Sequence, residues 1–444
     1  MKKISFSILF MVTFSLFAQN NNNKWTLEEC IRYATEHNIE IKQKKLIKEN
    51  SEIDLNTARM SRLPDLNVTA GQEWDFGRSN KTSSGIYENQ TASTTNLSIS
   101  SSTTLFSGFR ISNNIERCKL DLEASGQNLE KAKEDLALNI ASVFLQVLLN
   151  KELLKVDEDQ LSLSQFQVDR TEQLVEAGKV SASQLYDIKA QEAKDEVNVT
   201  QARNNLRLSL LDLAQKLELE HSVSFDIETP ELGDIFVENI QSTLTPENIY
   251  NNAVGFKPQI KELELRQEST KSSLKIAQSG YIPTLSLDLG YDNEYFYNNS
   301  IQNKSFANQF KNNEGEYVVL NLSIPIFNRF AIRNQVRTAK LNIESQHLLL
   351  ENEKKTLYKE IQTAYVNAIS AQEKYRSTQK SVAASQESFR YAVERYQAGK
   401  ASVFEFNEAK NQLGQSLSEQ IQSKYDYIFT SKILDFYNGL PIKL

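Results

Sequence analysis

The sequence predicts a mainly α-helical, internally duplicated protein that also carries four β-strands suited to a barrel segment. Three observations lead to this fold class. The chain repeats itself with a period of about 220 residues, and each repeat holds a stretch of roughly 70 residues almost free of Gly and Pro. Each repeat also holds two short segments in which polar and apolar residues alternate. Only 14 Gly and 7 Pro occur in 444 residues, which favours long uninterrupted elements because these residues break regular structure.

The composition excludes several classes of protein. With 40% hydrophobic and 24% charged residues, the chain is neither disordered nor a helical membrane protein. A net charge of −7 argues against nucleic-acid binding, which requires a basic surface. His37, His221 and His347 are isolated, and no zinc-protease motif, phosphate-binding loop or nucleophile elbow is found in the sequence. The sequence therefore predicts a protein that is not an enzyme and that holds no cofactor or metal.

The N-terminal segment, 1–18, has the pattern of a signal peptide. Lys2 and Lys3 precede the apolar run Ile4–Phe17, and Ala18 is a suitable cleavage position. The alternative is a membrane anchor, but the run is shorter than the ~20 residues of a spanning helix. No later run reaches that length, so a mature chain that crosses a membrane would do so as a barrel.

The two cysteines, Cys30 and Cys118, are the only ones in the chain. A disulfide is an option in an exported protein. Both residues lie in helical patterns far apart in the sequence, and we favour two free thiols.

The internal repeat is visible in several separate matches. The segment 58–71 (ARMSRLPDLNVTAG) matches the segment 277–290 (AQSGYIPTLSLDLG), and further matches follow at nearly the same offset in residue number. Separate matches at nearly one offset indicate a duplication, and we divide the mature chain into repeats at 19–230 and 231–444. The later matches are Lys119-Leu120 with Lys340-Leu341 and Ala177-Gly178-Lys179 with Ala398-Gly399-Lys400.

Each repeat opens with a helix that runs toward a proline. In the first repeat Thr26 is the expected N-cap, with Glu29 completing a capping box. In the second repeat Thr245 is the expected N-cap and Pro246 takes the first helical position. Polarity alternates after Pro64 and Pro283, and again after an intervening polar stretch, which predicts two strands per repeat. The predicted strands are about 65–75, 95–106, 284–297 and 316–326, and the predicted polar loops are 77–95 and 297–316.

Four strands cannot close a barrel, and open sheet edges are not tolerated in lipid. A membrane barrel would therefore be shared between chains. The alternative is a soluble antiparallel sheet with one face in water. The signal peptide favours the membrane, and so do aromatic residues near one strand end, which suit a bilayer interface. These aromatic residues are Tyr291, Tyr295, Phe296 and Tyr297.

The two breaker-poor stretches, 106–176 and 328–397, predict helices of about 105 Å each. Such lengths are typical of coiled coils. Every seventh residue from 140 to 175 is apolar, and the equivalent column in the second repeat is apolar or Ala. The second heptad column, every seventh residue from 136 to 171 and from 357 to 392, is mostly small or polar. This pattern fits helices packed on one side and facing a wetter or closer neighbour on the other, or an ordinary two-stranded coiled coil with a poor second column.

Each long helix ends at an Ala-Gly-Lys sequence, after which a helical pattern restarts. Glycine at a helix end adopts the left-handed conformation at little cost. Ser181 and Ser402 are candidate N-caps for the returning helices. The sequence thus predicts one helical hairpin per repeat, over 107–224 and 327–438, with Ala-Gly-Lys at each tip.

These features resemble the TolC family of outer-membrane efflux proteins. The resemblance covers residues 24–440 and depends on the order of duplicated elements more than on one motif. The residues that carry it are Arg62-Leu63-Pro64 and Tyr281-Ile282-Pro283 before the strands, Thr104-Leu105-Phe106 and Ile324-Pro325-Ile326-Phe327 after them, and the tip Arg395–Ser402 with its counterpart Leu174–Ser181.

The resemblance implies a homotrimer in the outer membrane with a long periplasmic extension. Three chains would share a 12-stranded barrel continuous with a helical tunnel, and residues 224–244 with the C-terminal tail would form a belt around it. The resemblance implies passive export of substrates that an inner-membrane pump, of the resistance-nodulation-division or ABC type, delivers through a periplasmic adaptor. The partners would be these proteins and outer-membrane lipid, with no nucleic acid. The alternative function is a non-transporting structural or adhesive coiled-coil surface protein.

The resemblance also assigns candidate functional residues at the hairpin tips. Side chains after each tip glycine would line the periplasmic entrance, where rings of like charge in a trimer would repel one another or bind cations. Alternatively they are solvated helix residues, and the tip lysines are either solvated or paired with the adaptor. The docking candidates are Ala177, Gly178, Lys179, Ser181, Ala398, Gly399, Lys400 and Ser402, and the entrance candidates are Gln184, Asp187, Glu405 and Glu408.

Overall fold

The computed structural model describes residues 24–80, 87–220, 225–230 and 245–443. The signal peptide predicted at 1–18 and most of the predicted belt lie outside the described residues. The part of the belt that is described, residues 225–230, runs beside Trp25, whose N–H donates to the carbonyl of Asp226 at 3.1 Å.

Both repeats fold into the same series of elements. The first repeat comprises α1 (Leu27–His37), α2 (Ile39–Met60), β1 (Asn67–Asn80), β2 (Tyr87–Phe106), α3 (Arg110–Glu176) and α4 (Ala182–Lys216). The second comprises α5 (Pro246–Phe256), α6 (Pro258–Ser279), β3 (Thr284–Asn298), α7 (Phe306–Asn312), β4 (Glu314–Ser323), α8 (Ala331–Gln397) and α9 (Val403–Tyr437).

The opening helix of each repeat is broken in two, which corrects the prediction of one continuous helix. The capping box of Thr26 and Glu29 is present. At Asn38 the side chain accepts hydrogen bonds from the N–H groups of Glu40 and Ile41 and so starts α2 as a new helix. In the second repeat Pro258 starts α6, and the residue before a proline is disfavoured in helical conformation.

The four strands form one antiparallel sheet in the order β1-β2-β3-β4. The predicted loop at 77–95 is wrong, because residues 77–80 and 87–95 continue the strands. β2 pairs on both sides in this region, with Gln90 opposite Gly77 and Ala92 opposite Asn298, so its polar residues keep their backbone hydrogen bonds. The predicted loop at 297–316 instead contains α7. The fourth strand ends at Ser323, short of the predicted 326, because Pro325 has no N–H for the ladder.

The strand register collects the apolar side chains on one face of the sheet. Val68 lies opposite Ile99, which lies opposite Tyr291, and the neighbouring rows continue this pattern. Val68 is 65% exposed and Val318 is 74% exposed, so this face is uncovered on the two edge strands, whereas α7 packs on Asn293 and Tyr295 of β3. Of the aromatic residues near the strand end, Tyr291, Tyr295 and Tyr297 lie on this face, while Phe296 alternates onto the polar face.

The four long helices form a layer that extends away from the sheet. α3 packs against α4, α8 packs against α9, and α9 also packs against α3. Closer to the sheet, α6 lies between α3 and α8. Each hairpin thus belongs to one repeat, and the seam between the repeats runs along α3 and α9.

Equivalent residues of the two repeats build two separate cores. In the first, α1 and α3 bury Cys30 and Ile140, and in the second, α5 and α8 bury Ile249 and Ile361. Burial raises the pKa of the Cys30 thiol to about 12. Cys30 and Cys118 are both unpaired and buried, as favoured from the sequence.

One window of α3 is long and apolar enough to span a bilayer by length and composition alone. The most apolar part of α3 contributes Ile140, Phe144, Val147 and Leu148 to the first core, where each is at most 1% exposed. Packing against α1, α4 and α9 explains why this helix is so apolar.

The turn between the second strand and the long helix is also repeated. In both repeats two successive residues have positive φ: Gly108 and Phe109 at 61° and 65°, and Arg329 and Phe330 at 54° and 61°. The backbone conformation of the turn is therefore the same in both repeats. Only the first repeat has glycine, which adopts a positive φ without strain, at the first of the two positions.

Candidate functional site: the hairpin tips and the seam between the repeats

The two Ala-Gly-Lys tips have the same backbone structure. Gly178 and Gly399 have φ values of 68° and 69°. The N–H of the lysine after each glycine reaches back to the helix, Lys179 to the carbonyl of Leu174 at 2.9 Å and Lys400 to that of Arg395 at 2.8 Å. This is a Schellman turn, which satisfies the free carbonyls of the helix end. Open space surrounds both glycines, so a larger side chain would not be crowded there. Glycine is favoured at these positions because of the positive φ.

The returning helices start differently in the two repeats. Ser402 forms a capping box with Glu405: the Glu405 N–H donates to the Ser402 hydroxyl at 3.2 Å, and the Ser402 N–H donates to the Glu405 carboxylate at 2.8 Å. Ser181 occupies the N-cap position of α4 but makes no side-chain cap hydrogen bond. Gln184 stands where Glu405 stands in the second repeat.

The Glu405 carboxylate is therefore already engaged. Besides the hydrogen bond from the Ser402 N–H, which is the main cause, the Ser402 hydroxyl and Arg395 lower the pKa of Glu405. The Arg395 guanidinium lies 3.3 Å from the carboxylate. Asp187 and Glu408 are exposed, as are Lys179 and Lys400. Within the described part of the chain these four side chains make no ion pair.

The structure brings the two tips together side by side. Val403, the first residue of α9, packs against Val168 of α3 and Ile188 of α4 in one buried cluster. Leu185 and Tyr396 pack around this cluster. The predicted tip residues of both repeats therefore belong to one end of the molecule.

A buried charged cluster lies along the seam beyond the tips, and sequence reasoning missed it. Lys410 of α9 is 1% exposed and its Nζ lies 2.5 Å from the carboxylate of Asp195 on α4. The Ser164 hydroxyl donates to the same carboxylate at 2.6 Å and also accepts a hydrogen bond from Lys410. Burial lowers the pKa of Lys410, while Asp195 opposes this shift. The only sequence signal was Ser164, one of the polar residues in the second heptad column.

A second link crosses the seam farther from the tips. Lys424 of α9 lies 2.9 Å from the Glu152 carboxylate of α3. The Tyr425 hydroxyl donates to the same carboxylate at 2.8 Å. Two charged contacts at different heights thus join α9 to the first repeat.

Nothing in this arrangement has the geometry of a catalytic or metal site. Across residues 24–80, 87–220, 225–230 and 245–443, no group of three or more His, Cys, Asp or Glu side chains is placed to hold a metal ion.

The sequence profile of the outer membrane efflux protein family matches this chain in two blocks, residues 31–217 and 249–439. The blocks follow the two repeats and cover most of the chain. The chain belongs to the outer membrane efflux protein family. The resemblance found in the sequence is thereby confirmed, and so are the predictions of an outer-membrane protein and of a transporter that is not an enzyme.

Curated relatives and solved structures agree with the family assignment. Outer membrane protein TolC of Escherichia coli K12 is 22% identical over 423 residues, which cover 94% of this chain and 81% of that protein. Toxin and drug export protein A of Aggregatibacter actinomycetemcomitans is 22% identical over 338 residues, 74% of this chain and 69% of that protein. The fold matches that of CusC with a TM-score of 0.79, at 17% identity and 96% coverage of both chains. It also matches the Campylobacter jejuni CmeC channel with a TM-score of 0.76, at 17% identity, covering 100% of this chain and 94% of that one.

This efflux protein is accordingly an outer-membrane channel of the tripartite type. Proteins of this kind work with a periplasmic adaptor and an inner-membrane pump. The predicted fold class, a duplicated helical protein with a small antiparallel sheet, is confirmed.

Proposed function

We propose that three copies of this efflux protein close into one export duct, with a shared barrel in the outer membrane and a helical tunnel in the periplasm. The apolar face of the sheet, which is uncovered on β1 and β4, is the observation that carries the proposal. Within the described part of the chain, β1 and β4 each lack a strand partner on the outer edge. Unpaired backbone groups are too costly in lipid to remain open. Pairing β4 of one chain with β1 of the next removes both edges, and three chains supply twelve strands.

The tips are the proposed docking surface for the periplasmic adaptor. Ala177, Gly178, Lys179 and Ser181 lie beside Ala398, Gly399, Lys400 and Ser402 at one end of the molecule. The Schellman turns hold the backbone in a fixed shape, and the two lysines are free to pair with acidic groups. Through the adaptor, the duct would passively export substrates delivered by a resistance-nodulation-division or ABC pump.

The proposed entrance residues follow the tips. In a trimer, Asp187 and Glu408 would stand as rings of like charge around the tunnel axis, favouring cations and opposing tight closure. Glu405 is held by Ser402 and Arg395, so it would contribute less. Gln184 is neutral and would orient polar solutes by hydrogen bonding only.

Replacing both tip glycines tests the docking proposal. Gly178→Val with Gly399→Val places β-branched residues at positive φ, which distorts the Schellman turns. We expect loss of export from cells, with outer-membrane oligomers present in normal amounts. The matched control is Gly126→Val, which changes a glycine within α3 that also has open space around it and should leave export intact. Export by the double tip variant at the wild-type rate would refute the assignment.

The entrance proposal is tested by single-channel recording. Glu405→Gln with Glu408→Gln should lower the preference for cations over anions, and Glu408→Gln alone should account for most of the change. Asp187→Asn should add to it. Selectivity equal to that of the unmodified protein in all three variants would remove these residues from the entrance.

A further inference from the structure

Within the described part of the chain, the outer end of β3, away from the long helices, has no strand beside it on the β4 side. β3 has 15 residues and β4 has 10, and their pairing stops where Asn293 lies opposite Glu314. Residues 294–298 therefore extend beyond β4, although they still pair with β2 on their other side. Unpaired backbone groups at a sheet edge invite further pairing and are costly in lipid.

Side-chain amides take the place of the missing strand at this edge. The Gln309 side chain binds Phe296 as a paired strand residue would. Its Oε1 accepts a hydrogen bond from the Phe296 N–H at 3.0 Å, and its Nε2 donates to the Phe296 carbonyl at 2.8 Å. The Asn303 side chain forms the same two hydrogen bonds with the backbone of Asn298, at 2.9 and 2.7 Å.

A third amide completes the series. Asn313, directly before β4, donates to the carbonyl of Glu294 at 2.7 Å. The three amides thus bind every second residue of β3, and in a strand the backbone groups of every second residue point to the same edge. Gln309 is only 8% exposed, so α7 lies closely against this edge. The segment 303–313 therefore satisfies the outer edge of β3 without forming a strand.

α7 also continues the apolar face of the sheet. The Phe306 ring lies edge-on to Tyr295, with the ring centroids 5.0 Å apart, and Phe310 stacks on Phe306 at 5.6 Å. Tyr295 belongs to the apolar face of the sheet. Phe306 is 52% exposed and Phe310 is 40% exposed, so α7 extends this face with aromatic side chains that are only partly covered.

The edge strands β1 and β4 differ in length, which matters where two copies meet. In the shared barrel proposed above, β4 of one chain pairs with β1 of the next. Pro64 precedes β1 and Pro325 follows β4, and a proline has no N–H for the ladder. We therefore align the two strands near these prolines, with Leu322 opposite Val68. Both side chains are exposed, and residues paired in this way point to the same side, so the apolar faces of the two chains join.

In this register the outer end of β1 passes the end of β4. Glu314, the first residue of β4, lies opposite Phe76, and residues 77–80 extend beyond it. α7 has seven residues, which rise about 10 Å, close to the roughly 13 Å that four strand residues span. The Phe310 carbonyl accepts a hydrogen bond from the Asn293 side chain at 2.6 Å. Because Asn293 lies opposite Glu314, Phe310 and Phe76 are at the same height.

We infer that α7 takes the place of a strand at the outer rim of the barrel and that its exposed side packs against the outer end of β1 of a second copy. The inference rests on the shared barrel proposed above. Trp74 and Phe76 of β1 are 63% and 77% exposed, and they meet the aromatic side chains of α7 at the bilayer interface, where such residues are favoured. A helix and a strand thus close the rim between two chains, whereas two strands close the wall below it.

Cross-linking at two heights tests the rim contact and the barrel separately. Phe76→Cys with Phe310→Cys forms the upper pair, and Val68→Cys with Leu322→Cys forms the lower pair. Each variant is treated in outer membranes with a short bismaleimide, which tolerates small differences in register. We expect both pairs to give covalent dimers and trimers on a denaturing gel. The four single-cysteine variants are controls for the two native cysteines.

The two pairs distinguish the possible failures. Lower cross-links without upper ones would overturn the rim contact, with lipid instead of β1 against α7, and would leave the shared barrel standing. The absence of both cross-links would overturn the shared barrel and, with it, the partner assigned to α7.

Gln309 provides a second test, of the strand-like role itself. Gln309→Leu leaves the N–H and carbonyl of Phe296 without their partner, so α7 should detach from the edge of β3. We expect loss of the upper cross-link, while the lower cross-link keeps its full yield. Gln302→Leu, at an exposed glutamine just before the segment 303–313, is the matched control and should keep both. An upper cross-link that survives Gln309→Leu at full yield, or the loss of both cross-links, would overturn the assignment of α7 to the rim.

Discussion

The first and second repeats share one backbone plan but differ in side chains where they meet. Equivalent positions in the two cores remain apolar, as at Cys30 and Ile249. Asp195 on α4 and Ser416 on α9 occupy equivalent positions in the two hairpins but differ in chemistry: Asp195 binds Ser164 and Lys410, whereas Ser416 is hydrogen-bonded to Ser385. The comparison shows that a duplicated fold conserves the spacing of its core, whereas the polar contacts diverge because the two repeats have different neighbours.

The largest expected difference between the repeats concerns the buried lysine. Lys410→Met leaves the Asp195 carboxylate buried without its partner, and we expect it to lower the free energy of unfolding by about 3–5 kcal/mol. Lys189 stands at the equivalent position of α4, at the repeat offset that relates Gly178 to Gly399, and makes an exposed pair with Glu172 at 3.2 Å. Lys189→Met should therefore cost less than about 1 kcal/mol. Urea denaturation in detergent measures both.

A compensating variant sharpens this comparison. In the second repeat the hydroxyls of Ser385 and Ser416, the equivalents of Ser164 and Asp195, are hydrogen-bonded at 2.9 Å. Adding Asp195→Ser to Lys410→Met gives the first repeat the same pair of hydroxyls and removes the unpaired buried carboxylate. Most of the lost stability should return. A double variant as unstable as Lys410→Met alone would mean that packing, and not charge, dominates the cluster.

A smaller difference is expected at the turns before the long helices. A Cβ at position 108 would lie 2.8 Å from the Ile282 Cβ, and φ there is positive. We expect Gly108→Ala to lower the free energy of unfolding by about 1–3 kcal/mol. Arg329→Gly removes backbone strain from the folded state but also increases the conformational entropy of the unfolded chain. Because these two effects oppose each other, the free energy of unfolding should change by no more than about 1 kcal/mol. Equal effects of the two changes would contradict the account of these turns.

The smallest difference is expected at the helix caps beside the tips. Ser402→Ala should destabilise the start of α9 by about 1 kcal/mol, the usual loss for an N-cap hydroxyl. Ser181→Ala should have almost no effect, because Ser181 makes no cap hydrogen bond. Hydrogen exchange of the first-turn amides measures both changes. A larger acceleration of exchange in α4 than in α9 after the paired substitutions would contradict this difference.

The cap also has a pH dependence. The pKa of Glu405 is lower in the folded protein than the value of about 4.3 for an unperturbed glutamate. The stability that the Glu405 carboxylate contributes to the cap is therefore fully present above the unperturbed pKa. It is lost as the pH falls through the pKa of Glu405 in the folded protein. Exchange at the start of α9 should differ between the wild type and Glu405→Gln near neutral pH and become equal under strongly acidic conditions. A difference that persists in acid would exclude the carboxylate as its source.

Much of the fold could be predicted because its signals are local and repeated. Pro64 and Pro283 mark the starts of strands, and the Ala-Gly-Lys sequences mark the tips. The strands at 77–80 and 87–95 could not be predicted, since the polar residues there depend on pairing of β1 with β2 and, from Ala92 onward, of β2 with β3, which is distant in the sequence. The breaks at Asn38 and Lys257 were missed because apolar periodicity continues across them.

The candidate site was predictable only in part for the same reason. The tip glycines have a local signature. The cluster of Ser164, Asp195 and Lys410 joins residues on three helices, and each residue alone has the pattern of a solvated helix position.

Planar-bilayer recording of the purified protein, after its mass in detergent has been determined, tests the central claim most directly. The account predicts discrete unitary currents from the fraction that has the mass of three chains and none from single chains. A stable trimer that gives no unitary current would contradict the duct and favour a structural or adhesive surface protein.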